Sequence, residues 1–135
     1  MPTQNSTNIS QSSPEHDDER NTPHRPRELD KFVDDFLSLV CDTSRRYILE
    51  LLAVPTDEDN TMLPERRSGD IARAIGLSAA TTSEHLRQLA NAGLVSSRRE
   101  GNTVYYSLRN QLLVRAFQDL LLALDKDYQT RLNLE

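Results

Sequence analysis

From Leu29 onward apolar residues recur at helical spacing. Leu29, Phe32, Val33, Phe36, Leu37 and Val40 line one face of a predicted amphipathic helix that ends near Cys41. Asp42 or Thr43 is suited to cap a second helix, with Tyr47, Ile48, Leu51 and Leu52 as its apolar face and Pro55 as its stop. Residues 56–64 are polar and acidic, with Asp57, Glu58 and Asp59 in a row, and read as a loop that is long for a compact domain. A third helix is expected from about Arg67 to Ala74, with Ile71 and Ile75 inward and Gly76 closing it. Ser78 then caps a fourth helix, Ala79 to Asn91, which Gly93 ends. Only Gly76, Leu77 and Ser78 separate these two helices, the tight connection of a helix-turn-helix. Leu94 to Arg99 and Thr103 to Leu108 are rich in Val, Tyr and Ser and flank Glu100, Gly101 and Asn102, which predicts a β-hairpin. After Asn110 a single long helix follows, striped by Leu112, Leu113, Ala116, Phe117, Leu120, Leu121, Leu124 and Tyr128.

The stretch before Leu29 has no such pattern. Residues 1–28 are rich in Ser, Asn, Thr, Gln, Pro and charge, with Ile9 as the one aliphatic residue, and are expected to be a disordered polar tail. His16 and His24 fall in it and are read as solvated. The folded part is expected to span residues 29–135 as one domain. The fold class this order implies is mainly α with a small β-hairpin, a winged helix-turn-helix.

Assigning sides to the fourth helix shows what such a fold would do. At ~100° per residue, Ala79, Thr82, Leu86, Leu89 and Ala90 share the side that packs on the domain. The opposite side carries Ala80, Thr81, Glu84, Arg87 and Gln88, with Ser83 and His85 at the borders. Small and hydrogen-bonding residues near a helix N-terminus, here including Ser78, suit entry into a DNA major groove. Arg87 is the candidate guanine reader or phosphate clamp, whereas Glu84 would help only by accepting from a cytosine amino group. His85 is read as packing. Arg98, Arg99 and Asn102 at the hairpin tip are candidates for backbone or minor-groove contact. Of Tyr105 and Tyr106, which alternate across the strand, one should pack inward.

Composition changes this picture in two ways. Net charge is −5, which on its own argues against a nucleic-acid partner. Yet residues 66–109 hold seven arginines against Asp70, Glu84 and Glu100, so the basic charge is concentrated where the DNA-facing elements are expected. Hydrophobic residues make up 36% of the chain, aromatics 5%, and Trp is absent, a thin core for a self-sufficient monomer. A three-helix core with a wing cannot bury both the Phe32/Phe36 face and the stripe of the last helix. A homodimer joined through the first and last helices would hide the surplus through Phe32, Phe36, Leu113, Phe117, Leu120 and Leu124. It would also set two recognition helices about one DNA turn apart.

In this order and spacing the chain resembles the ArsR/SmtB family of bacterial and archaeal repressors, over roughly residues 39–124. The likeness is carried by TSRRYILELL at 43–52, DIARAIGLS at 70–78, SEHLRQL at 83–89, AGLV at 92–95 and RREGNTVYY at 98–106. The resemblance implies a dimer on an inverted-repeat operator that blocks its own promoter until a signal releases it. It implies operator contacts from Ala80, Ser83 and Glu84, with Ala80 and Glu84 departing from the Ser and His often found there. The family's metal sites do not carry over. Arg67 and Gly69 stand where thiolates would be needed on the third helix, and Asn110, Leu112, Ala123 and Lys126 where carboxylates and imidazoles would be needed on the last. No metal and no cofactor is expected, which leaves a different effector such as a small molecule, a redox event at Cys41, or no inducer at all. Cys41, the single cysteine, precedes a helix start flanked by Arg45 and Arg46, which favours thiolate, but it also continues the apolar face of Val40, and burial is the favoured expectation. No Gly-rich phosphate loop or nucleophile–base spacing suggests an enzyme. No signal peptide or membrane span is visible, so a cytoplasmic location is expected. The rival reading is a winged helix that serves protein–protein interaction without binding DNA.

Overall fold

The structure is a computed structural model that describes residues 24–55 and 63–134. The expected tail, up to residue 23, and most of the acidic loop therefore lie outside the described residues. In chain order the elements are α1 (Arg27–Leu39), α2 (Thr43–Ala53), β1 (Arg66–Arg67), α3 (Ser68–Ile75), α4 (Ala79–Asn91), β2 (Val95–Glu100), β3 (Thr103–Leu108) and α5 (Gln111–Asn133). A compact unit begins at Asp35, and α1 enters it only with its last residues.

Three of the helix starts have a local side-chain cause. Asp42 accepts a hydrogen bond from the Arg45 backbone N–H at 3.0 Å and caps α2. Ser78 accepts from the Thr81 N–H at 3.1 Å and caps α4, and Asn110 does the same for α5 through the Leu113 N–H at 3.1 Å. Side-chain oxygens at this position satisfy donors that the first helical turn leaves orphaned. Gly76 ends α3 with φ +74°, a left-handed conformation that costs glycine little, and its N–H and that of Leu77 both reach the Ala72 carbonyl. That turn fixes the angle between α3 and α4.

The core gathers Ile48, Leu49 and Leu52 from α2, Ile71 from α3, Leu86 and Leu89 from α4, and Leu94, Val95 and Leu108 from the hairpin. Val114 and Phe117 close it from α5, and Phe36 meets the Phe117 ring edge-on with centroids 6.0 Å apart. Several expected faces are rotated. In α2 the buried arc includes Leu49, while Tyr47 is exposed, because Ile48, Leu49 and Leu52 centre the packed side away from it. In α5 the inward residues are Val114 and Phe117, with Leu113 and Leu121 partly buried against the same core, while Leu112 is exposed. Ala79 is exposed at the mouth of α4 and not packed. Cys41 is exposed, contrary to the expected burial. α1 ends at Leu39, so Cys41 sits in the turn beyond it, where the helical face no longer continues.

The sheet has three antiparallel strands in the order β1-β3-β2. Val95 to Glu100 pair with Leu108 to Thr103 around Gly101 and Asn102, close to the expected hairpin. The third strand is new. Arg66 and Arg67 pair with Tyr106 and Tyr105 in residues expected to be loop and helix start. A two-residue Arg-Arg strand has no alternation to detect, and it forms because β3 offers it a partner edge.

Candidate nucleic-acid interface

The helix α4 lies with Thr82, Leu86 and Leu89 fully buried. Ala80, Thr81, Ser83, Glu84 and Arg87 are exposed on its other side, and Gln88 and His85 are half-buried. Apart from Ala79, which is exposed, the division between packed and free sides is the one that helical spacing predicts. The Ser78 hydroxyl also donates to the Thr81 hydroxyl at 3.0 Å, so the small polar mouth of the helix is internally ordered.

One side chain outside that face, Arg45, bonds to the helix, and Arg46 beside it bonds back toward α1. Arg45 Nε donates to His85 Nδ1 at 3.2 Å, and its Nη1 donates to the Leu39 carbonyl at 3.0 Å. Arg46 donates to the Val40 carbonyl at 2.8 Å. Both arginines thus satisfy carbonyls at the C-terminal end of α1, where the peptide dipoles also favour positive charge. His85 is therefore a packing and anchoring residue, as its border position suggests. Arg45 was not legible as its partner, because forty positions in sequence separate the two.

On the free face the charges pair locally. Glu84 accepts from Arg87 Nε at 3.0 Å and from Gln88 Nε2 at 3.1 Å. The Arg87 guanidinium, then the Gln88 amide, hold its carboxyl at about 2, well below the usual carboxylate range. Asp70 pairs with Arg67 at 2.9 Å and with Arg73, and its carboxyl is likewise lowered, chiefly by the Arg67 hydrogen bond. In the wing, Arg98 is gripped by Glu65 through Nε and Nη2 at 2.9 and 3.0 Å and donates to Glu100 at 2.8 Å. Its guanidinium also lies over the Tyr105 ring, 4.8 Å from the centroid. Tyr106 is the tyrosine that packs on the core. Arg99 is exposed without an ion pair among the described residues, and Asn102 is exposed in the turn. Glu65 was not anticipated as part of the wing, because the strand it precedes was not visible in the sequence.

The dimer candidates divide into two groups. Phe36, Leu113 and Phe117 pack against the chain's own core. Phe32, Leu120 and Leu124 are half or more exposed, and no residue of α1 is buried. No group of three or more His, Cys, Asp and Glu among the described residues is arranged to hold a metal ion. No helix among them is long and apolar enough to cross a membrane.

A helix-turn-helix with a polar outer face, flanked by an Arg-bearing β-hairpin, defines a winged helix-turn-helix protein. Residues 42–97 match the bacterial regulatory protein, arsR family. The chain belongs to that family. The HTH-type transcriptional regulator YgaV of Escherichia coli (strain K12) is 38% identical over 48 residues, covering 36% of this chain and 48% of YgaV. The transcriptional repressor SdpR of Bacillus subtilis (strain 168) is 36% identical over 74 residues, covering 55% of this chain and 72% of SdpR. Most of the curated relatives are matched over about half of their own length. Among solved structures, the homodimeric winged helix-turn-helix DNA-binding domain (fragment 1–100) of a possible ArsR-family transcriptional regulator from Mycobacterium bovis superposes with TM-score 0.62 at 29% identity. It covers 78% of this chain and 91% of that one.

Proposed function

We propose that the chain is a sequence-specific DNA-binding transcriptional regulator, a homodimeric repressor of its own or an adjacent operon. The observation that carries this reading is the exposed outer face of α4, presented by a capped N-terminus beside an Arg-bearing wing. Ser78, Ala80, Thr81, Ser83, Glu84, Arg87 and Gln88 would face the major groove. Arg98, Arg99 and Asn102 would reach the sugar–phosphate backbone or the minor groove. Two such faces joined by a two-fold axis would engage an inverted repeat. Within the unit that begins at Asp35, the exposed Leu120 and Leu124 are candidates for that joining, with Phe36, Leu113 and Phe117 packed on the core, and Phe32, exposed on α1, is a further candidate. The name of SdpR as a repressor and the homodimeric state of the Mycobacterium bovis domain support the same reading.

The protein works in the cytoplasm, carries out no catalysis, and needs no cofactor in this account. Its release signal is a small molecule or an oxidant acting at the exposed Cys41, and not a metal, since Arg67, Gly69, Asn110, Leu112, Ala123 and Lys126 stand where the family's metal ligands would be. Cell-free transcription from the chain's own promoter tests the reading. Added protein should lower transcript yield in proportion to operator occupancy. An unchanged or increased yield would contradict repression, and with no complex on DNA at all it would point to a protein-interaction role.

A further inference from the structure

The outer face of α4 places an acid in the middle of a surface meant for a polyanion. Glu84 is exposed, and its carboxylate accepts from Arg87 Nε at 3.0 Å, from Arg87 Nη2 at 2.5 Å and from Gln88 Nε2 at 3.1 Å. That takes three of its roughly four lone-pair sites, and about three of the five N–H donors of Arg87 stay free. The pair is neutral as a unit, so it can approach DNA without the repulsion a lone carboxylate would meet. With its carboxyl held far below the usual range by Arg87 and Gln88, Glu84 can only accept hydrogen bonds. In the major groove the donors are the cytosine N4 and adenine N6 amino groups, while guanine N7 and O6 are acceptors suited to a guanidinium. A G·C pair supplies both halves together, an amino donor for the acid and guanine acceptors for the arginine. An A·T pair offers the guanidinium no such twin acceptor.

We propose that Glu84 is a specificity-determining residue that selects a C·G base pair in each half-site, accepting from the cytosine N4 amino group while holding Arg87 for guanine. The proposal rests on the DNA-binding reading above and deepens it.

Wild-type protein and Glu84→Ala are each used to select duplexes from a randomised library, and the selected pools are sequenced. Both proteins are also titrated with an unrelated duplex at two salt concentrations. Wild type should enrich a C·G pair at one position of each half-site, and changing that pair to T·A should weaken its binding about ten-fold. Glu84→Ala should lose the preference at that position alone. It should also bind the unrelated duplex more tightly than wild type, with a steeper salt dependence, because Arg87 is released to phosphate. Glu84 is exposed, so the substitution should leave the thermal melt in place. An identical selected motif for the two proteins overturns the proposal. Weaker binding of Glu84→Ala to the selected site and to the unrelated duplex alike also overturns it, since it marks a structural role. A wild-type pool with no enriched sequence overturns the DNA-reading function itself, and this inference with it.

Discussion

Thr82 turns its hydroxyl into the apolar contact of α4, where the Oγ1 atom is buried without a hydrogen-bond partner. A buried hydroxyl that finds no partner costs desolvation without return. Thr82→Val keeps the shape and removes the orphan, so it should stabilise the fold by about 1 kcal/mol, read as a raised Tm with DNA affinity unchanged. A lowered Tm would show that the hydroxyl is satisfied. In the wing, Glu65 holds the Arg98 guanidinium that the proposed function assigns to the DNA backbone. Glu65→Gln should tighten binding to any duplex, whereas Arg99→Ala should weaken it and reduce the salt slope by about one per subunit; titration of one unrelated duplex with each variant checks both. Such pairings were the least legible part of the site. Arg87, Arg98 and Arg99 could be picked out by residue type and position, but their partners could not. Glu65 meets Arg98 only because the chain before α3 forms β1, and no residue pattern announces that strand.

The element α2 is tied at its start to α1 and α4 at once. Asp42 caps it, and Arg45, one turn in, reaches both the Leu39 carbonyl and His85. The Arg45 N–H, with the nearby positive charges, holds the Asp42 carboxyl below its ordinary value. A carboxyl depressed in the folded state adds stability that is present above the ordinary carboxylate range and is lost as pH falls through the folded value. Asp42→Ala should therefore cost about 1 kcal/mol at neutral pH, and the gap to wild type should close on acidification through that range; denaturant melts at several pH values measure it. A gap that stays constant with pH would contradict the cap's ionisation. His85→Asn keeps an acceptor near the Nδ1 position, while His85→Ala removes it. The first should retain more operator affinity than the second, if the Arg45 bond positions α4 as described. Elements were legible where two signals coincided. The bounds of α4 follow from the Ser78 cap, the Leu86/Leu89 spacing and the closing glycine. Cys41 and Tyr47 were misjudged for the opposite reason. Extending a helical face turns each of them inward, in one case past the helix end and in the other around to its far side.

At the scale of the whole molecule, the exposed apolar residues of α1 and α5 are the surplus that a single chain does not bury. The sequence made the surplus legible through its thin core and long last stripe. It did not say which residues turn to the chain's own core, because one helix with apolar residues on two sides leaves that choice to packing. Leu120→Glu combined with Leu124→Glu should leave the fold intact, shift the protein to a monomer in sedimentation, and weaken operator binding by at least ten-fold, since two half-sites would no longer be held together. On the reading proposed above, this domain reads DNA as a pair of subunits. That reading is tested most directly by anisotropy titration of a fluorescent duplex from the gene's own upstream region, beside a scrambled duplex, at two salt concentrations. Binding should be tight and distinguish the two duplexes, with two subunits per site and a slope of log affinity against log salt of about −5 for roughly three phosphates per subunit. Equal or absent binding to the two duplexes, or binding indifferent to salt, would contradict it.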